Sequence, residues 1–355
     1  MTTQQTVAAL RPPSDPSPRY LQEHPIEHAT IKEVAPGVHW VRMPLPMAAL
    51  EHINLWIIDD GQDFVMVDTG FSSDETRENW EIIFDGALAG RRANRLICTH
   101  FHNDHASTAG WLLARMGCSF HMTQPEYLTG LTSYGDQAMS RREDAMALLL
   151  SNGLDPAIAA GTLDLKARYG QDVRDFPRSY QRIFGGEEFR VGQSSWKVIL
   201  GYGHSPEHAS LYCAELGVLI AGDMVLPRIT TNVSVQAVEP DANPLRWFMD
   251  SLAEHAKLPA DTLVLPSHGL PFHGLRERVR YLRNHHKQRL EELVQSCDTP
   301  KSAADVLPLL FRRKLDERET RIAMGESLAH MHQLYYEGRL GRLKDAAGVW
   351  RYMKN

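Results

Sequence analysis

The chain has 355 residues, 43% hydrophobic and 23% charged, a globular composition that excludes an intrinsically disordered chain and leaves room for one large domain or two smaller ones. Its 44 acidic residues against 38 basic ones give a net charge of −6, so the chain as a whole is not built to coat nucleic acid or an anionic membrane. Four cysteines without a CxxC pair exclude a disulfide framework and fit a reducing compartment.

Residues 1–28 carry Pro12, Pro13, Pro16, Pro18 and Pro25, which predicts an extended arm, either a surface tail or a segment packed on a partner subunit in a homodimer. From Gly37 onward, Val38–Arg42, Ile53–Ile58 and Phe64–Val67 predict three strands, with turns at Pro44–Pro46 and Asp59–Gly61. Ser73–Phe84 has helical spacing, with Ser72 or Ser73 as N-cap. Arg95–Cys98 reads as a strand, Ala106–Arg115 as a helix and Ser119–Met122 as a strand. Residues 124–183 are polar and helical and form an insert. A second β-rich half starts near Phe189, with strands at Trp196–Leu200, Ser210–Cys213, Val218–Ala221 and Thr262–Leu265. Helices are predicted at Pro244–Lys257 and Leu275–Val294. Two β-rich halves, each followed by helices, predict an α/β chain with helices packed outside two facing sheets.

Residues 299–355 read as a separate module of two helices, Ala303–Phe311 and Glu319–Glu337, and a hairpin, Arg339–Lys354, with Gly348 near its tip. Helix, helix, hairpin resembles a winged-helix module. Its eleven Lys/Arg against seven Asp/Glu form a small basic excess, which favours a packing or dimerisation element over contact with nucleic acid. No apolar run approaches the ~18 residues of a membrane helix, and no basic patch precedes an apolar leader. A cytoplasmic location and no membrane partner are expected.

The densest chemistry is Thr99-His100-Phe101-His102-Asn103-Asp104-His105, directly after an apolar strand, in a chain with 17 histidines. Imidazole and carboxylate are the donors that zinc and similar divalent ions take in hydrolytic sites. In extended backbone, i and i+2 point the same way, so His100 and His102 can reach one ion together. Asp104 and His105, where the chain turns into a helix, can be aimed at a second. Further donors follow strand ends: His204 in Gly203-His204-Ser205-Pro206-Glu207-His208, Asp223 after Gly222, and His268 before Gly269. Glycines let the chain turn sharply there, and loops beyond strand ends are where scaffolds present chemistry.

His100-Phe101-His102-Asn103-Asp104-His105 resembles the HxHxDH motif of the metallo-β-lactamase superfamily. Asp68-Thr69-Gly70 resembles that family's first motif, and His204, Asp223 and His268 follow in the expected order. The resemblance covers roughly residues 30–290. It implies an αββα four-layer sandwich over 29–298 with a dinuclear metal site at one sheet edge. His100, His102 and His204 would hold one ion, and Asp104, His105 and His268 the other. Asp223 would bridge them with a water or hydroxide. The arrangement is more similar to the glyoxalase II and lactonase branch than to the zinc β-lactamases. Glu207 stands where that branch has glycine. The tail resembles the C-terminal module of β-lactamase-like protein 2.

Two such cations lower the pKa of a shared water and polarise a carbonyl. The implied activity is metal-dependent hydrolysis of a thioester or ester small-molecule substrate, with Asp104 and Asp223 as catalytic residues. Lactonase and phosphodiesterase or nuclease action are the alternatives. Zinc is the default metal, with iron or manganese also accepted by His/Asp sites. Asp68 is expected to orient a ligand histidine. His208 reads equally as a brace of the site or as structural, and His121 as structural. His285, His286, His330 and His332 read as solvated on charged helices, and Cys98 as a buried thiol. Trp111, Tyr134, Arg141, Arg142, Tyr180 and Arg228 are candidate substrate contacts, and the insert a candidate pocket wall.

Overall fold

Strand β3 (Val38–Pro44) and strand β4 (His52–Asp60) run almost wholly through the interior. Their side chains alternate between two separate cores. Val38, Trp40, Trp56 and Ile58 face a second sheet, while Val41, Met43, Ile53, Leu55 and Ile57 face helices. A strand covered on both faces is apolar nearly throughout, which is why Ile53–Ile58 stood out in the sequence. In this computed structural model, residues 18–47, 50–134, 142–170 and 176–355 are described.

Among the described residues the strands form two seven-stranded sheets and a two-stranded hairpin. The first sheet follows chain order: β2 (Ile31–Ala35), β3, β4, β5 (Asp63–Val67), β6 (Ala93–Ile97), β7 (Ser119–Met122) and β8 (Gln181–Arg182). The second runs β1 (Arg19–Tyr20), β14 (Phe272–His273), β13 (Leu263–Pro266), β12 (Val218–Gly222), β11 (His208–Cys213), β10 (Ser194–Gly201) and β9 (Glu188–Val191). Val38, Trp40, Val65 and Ile97 of the first sheet meet Trp196, Val198, Leu211, Ile220 and Leu265 of the second in one buried layer. Helices Asp74–Asp85 and Ala109–Met116 cover the outer face of the first sheet, and Pro244–His255 and Leu275–Ser296 cover the second. The αββα sandwich expected from the resemblance is the architecture observed.

Parallel pairing joins β5 with β6 in the first sheet and β12 with β13 in the second. The C-terminal ends of these strands open on a common edge, where the motif loops lie. The described part of the N-terminal arm is tied down rather than free: Arg19 and Tyr20 pair with His273 and Phe272. The rest of the arm lies outside the described residues, as do 135–141 and 171–175 of the insert.

Several elements differ from their sequence reading, each for a local reason. The helix expected over Ala106–Arg115 is broken into Asn103–Ala106 and Ala109–Met116. Ser107 Oγ accepts from Ser72 N–H and Thr108 Oγ1 donates to Gly70 O, so the first motif's loop captures the groups at the break. The expected helix Ala303–Phe311 shrinks to Leu307–Leu310. Pro308 lacks an N–H and fits only a first turn, and Ser302 and Asp305 exchange side-chain to backbone bonds just before it.

The expectation that His285, His286, His330 and His332 are solvated is corrected: His286, His330 and His332 are buried and His285 is half-buried. His286 continues the inner stripe Leu275, Val279, Leu282, Leu290 and Leu293. Helix Glu317–Tyr336 is buried on most sides in its second half because other helices and the hairpin surround it. The hairpin pairs β15 (Leu340–Lys344) with β16 (Trp350–Lys354). Leu149, Leu154 and Leu163 of the insert share a core with Met324, Leu328 and Tyr352, so insert and tail pack together. No helix among the described residues is long and apolar enough to cross a membrane.

Candidate metal centre

Strand β6 delivers Cys98 and Thr99 into the loop, and the turn after it points three imidazoles inward. His100 Nε2 lies 2.9 Å from His102 Nδ1 and 3.2 Å from His204 Nε2. Asp223 follows β12 directly and places Oδ2 3.3 Å from His204 Nε2. Its Oδ1 stands 3.5 Å from both His105 Nε2 and His268 Nε2. Asp104 Oδ2 lies 3.3 Å from His268 Nε2 and 3.8 Å from His105 Nε2. All seven residues singled out in the sequence therefore converge. They form two groups able to hold a cation, His100, His102, His204 and Asp223 in one and Asp104, His105 and His268 in the other, with ligand atoms within 4.8 Å inside each.

Buried partners aim the rings. Asp68 Oδ2 lies 2.9 Å from His105 Nδ1, while Asp68 Oδ1 accepts from Thr99 N–H at 2.7 Å. Thr99 Oγ1 in turn lies 3.0 Å from His100 Nδ1. His204 Nδ1 donates to Asn232 O at 2.7 Å and His268 Nδ1 to His52 O at 2.9 Å. With Nδ1 occupied in these rings, Nε2 is the atom each presents to the site. Asp68 itself has φ +63, a conformation rare for a residue with a side chain. His208 Nε2 accepts from Asp223 N–H at 3.2 Å and so braces the turn that carries Asp223.

These donors fit a divalent cation. His105 Nε2 and Asp223 Oδ1 are buried and make no hydrogen bond, facing each other across 3.5 Å. His100 Nε2 and His204 Nε2, each in a ring whose Nδ1 is engaged, face each other across 3.2 Å, a contact that a cation between them relieves. Burial, reinforced by the neighbouring His105, His102 and His204, holds His100 far below the ordinary histidine range. Burial and then His204 bring His102 down to about 3. Burial opposes ionisation of Asp223, yet His268 and His105 pull its carboxyl well below the usual range. Burial also disfavours charge on His105, yet Asp68, Asp104 and Asp223 together raise it strongly. Neutral imidazoles beside ionised carboxylates are the ligand forms metals require, and a cation can replace the proton on His105.

The remaining candidates separate. Tyr134, at the end of helix Gln124–Ser133, donates its hydroxyl to Phe101 O inside the motif. Tyr180 stacks on Tyr127 at 3.8 Å, Trp111 packs in the first sheet's outer core, and Arg228 lies over Tyr20. Arg141 lies outside the described residues and Arg142 opens helix Arg142–Ser151. His121 hydrogen-bonds to Ser119 and belongs to neither cation group. Cys98 is buried, and burial raises its thiol.

Three residues carry site geometry that the sequence reading missed. Asn54 donates from Nδ2 to Pro266 O and Gly269 O, holding the His268 turn. Asn232 receives His204 as above. Glu126 reaches two motif loops at once. An Asn inside a strand and a Glu in a helix's first turn have ordinary readings, so neither spacing nor composition signalled them.

Comparison with known proteins agrees with this geometry. Residues 49–268 match the family described as metallo-beta-lactamase superfamily, and residues 290–355 match the metallo-beta-lactamase-like C-terminal domain. A crystal structure of a beta-lactamase domain protein from Burkholderia ambifaria is 41% identical, covers 95% of this chain and 98% of its own, and superposes with a TM-score of 0.86. A metallo-beta-lactamase family protein from Thermus thermophilus is 27% identical over 91% of this chain and all of its own, with a TM-score of 0.77. The Bacillus subtilis protein named "Probable metallo-hydrolase YqjP" is 22% identical over 84% of this chain and 92% of its own.

Proposed function

The chain belongs to the metallo-beta-lactamase superfamily and is a metal-dependent hydrolase, and from that premise we propose that it works with two divalent ions, zinc by default, on a thioester or ester. The observation that carries the two-ion reading is Asp223, whose two oxygens face different donor groups: Oδ2 toward His204, Oδ1 toward His105 and His268. His100, His102 and His204 would hold one ion, Asp104, His105 and His268 the other, and Asp223 both. When bound, such ions supply an activated water at neutral pH and polarise the bond under attack.

The chain's own groups do the rest. Asp68 and Thr99 fix the tautomer and orientation of His105 and His100. Asp104, whose Oδ2 lies 3.3 Å from His268 Nε2, would orient the attacking water and carry its proton toward the leaving group. No serine or cysteine nucleophile is needed, and the one cysteine beside the motif, Cys98, is a buried thiol.

A carbonyl substrate is favoured over a phosphodiester by the tail. At least six of its eleven cations form ion pairs within the chain: Arg312 with Glu292, Arg313 with Glu319, Arg339 with Glu291, Arg342 with Asp241, Arg351 with Asp305 and Asp345, and Lys354 with Asp298. That leaves a weak electrostatic footprint for nucleic acid and supports a packing role for the winged-helix-like module 299–355. Lactones suit the same site, and Tyr202, exposed beside the His204 loop, offers a hydroxyl there. The glyoxalase II and lactonase likeness, the cytoplasmic location and the domain limits 29–298 and 299–355 belong to this reading. The experiment is a hydrolysis screen of metal-loaded protein on thioesters, esters, lactones and phosphodiesters. Turnover of thioesters or esters above the other classes supports the reading, and selective phosphodiester cleavage overturns it.

A further inference from the structure

Glu126 is fully buried, yet it lies in the first turn of helix Gln124–Ser133, outside every motif that marks the site. Its Oε2 accepts from Phe101 N–H at 3.0 Å. Its Oε1 accepts from Ser205 Oγ and from Glu207 N–H, both at 2.6 Å. Phe101 lies between His100 and His102, and Ser205 follows His204. One carboxylate thus ties the two loops that supply all three imidazoles of one donor group. Thr123, just before the helix, donates to Glu207 O at 2.8 Å and fastens the same loop again. The other donor group makes no bond to Glu126 among the described residues. Asp68 serves His105, and His52 O serves His268.

We propose that Glu126 is a positioning residue for the ion held by His100, His102 and His204, setting that ion's affinity without touching it. The inference rests on the two-ion reading only for its selectivity between ions. It follows from donor and acceptor counting. Both carboxylate oxygens accept from a peptide N–H. An amide in their place must aim its NH2 at either Phe101 N–H or Glu207 N–H, whichever way it is turned. One loop is then released, and the imidazoles it carries lose their fixed approach. Partners of this kind change metal affinity by about 10–100-fold.

The test is zinc titration of metal-stripped full-length protein against a chromophoric chelator, with thermal melting of the same samples. Wild type, Glu126→Gln, His268→Ala and the double variant are compared. Glu126→Gln is expected to weaken one ion by about 10–100-fold and leave the other unchanged. In the His268→Ala background, the remaining ion should show the same loss. Unchanged affinities, an equal loss at both ions, or a lowered melting temperature with intact affinities would each overturn the proposal. If Glu126→Gln does not fold, Ser205→Ala removes only the hydroxyl bond to Oε1. It should weaken the same ion by a smaller factor, and a folded Ser205→Ala with wild-type affinity overturns the proposal. The wild-type count is read separately. A single ion there defeats the two-ion reading, while the effect of Glu126→Gln on that ion still decides the role of Glu126.

Discussion

Asp68 Oδ2 and His105 Nδ1 lie 2.9 Å apart with both side chains shielded from solvent. Asp68 also accepts from the N–H and hydroxyl of Thr99, so one residue of the first motif sets the ring that faces Asp104 and Asp223. Asp68→Asn keeps the shape and removes the charge. An amide NH2 toward Nδ1 would favour the wrong tautomer and turn the proton of His105 into the site. Turnover is expected to fall about 10–100-fold. Kinetics of metal-loaded protein check this, and wild-type turnover would show that Asp68 does not orient His105.

Gly222 offers a second lever on the site. It has φ +52, and a Cβ there would come within 2.2 Å of His208 Nε2. Gly222→Ala must therefore move either the Asp223 turn or the imidazole that braces it. A misplacement near 1 Å costs about 100-fold in rate. Such a loss is expected with the fold retained by circular dichroism, and turnover within about twofold of wild type would mean that the turn absorbs the methyl group, well short of that cost.

Much of this architecture was legible in the residues. Ile53–Ile58 and Val218–Ala221 announced strands because both faces are covered, and the seven donors were found because each follows a strand end in a motif. The supports were not legible. Glu126, Asn54 and Asn232 act through space on loops far away in sequence, and each occupies a position with an ordinary local reading. Charges around His286 and His330 on their helices mask an inward-facing stripe. The break at Ser107 and Thr108 was hidden for a similar reason, since it depends on the loop of Asp68-Thr69-Gly70 lying beside it.

The buried pair His286 and His330 bears on acid stability. His286 Nδ1 lies 3.2 Å from His330 Nε2 between two long helices. Burial brings His330 down to about 4, and burial with nearby Arg289 does the same for His285. Burial and then His330 also lower His286. In the unfolded chain His285 and His330 take protons near pH 6.5, but in the fold only near pH 4. The unfolded state therefore binds more protons between those values, and stability rises with pH across that window. The stabilisation is complete above about pH 6.5 and is lost on acidification toward the folded value of about 4. Melting temperature should fall less steeply over that range in His330→Gln than in wild type. Metal loss in acid affects both proteins alike, so parallel curves would remove His330 as a cause.

Asp223→Asn tests the residue shared by the two donor groups. The amide keeps the volume but loses the charge that, on the two-ion reading, would hold two cations close together. Turnover is expected to fall at least ~100-fold, as loss of a major electrostatic stabiliser commonly does. One ion should also bind more weakly, with the melting transition still cooperative because the site lies at the sandwich edge. His268→Ala should weaken mainly the ion shared with Asp104 and His105. Near-normal turnover of Asp223→Asn with both ions retained would show that Asp223 does not join the two groups.

Counting ions decides whether these seven side chains form a two-ion site. Elemental analysis is made on full-length protein loaded to saturation, with its turnover measured on the same sample. Two ions per chain, with turnover rising until the second is bound, is the expected result. Full turnover with one ion per chain at saturation would contradict the two-ion site.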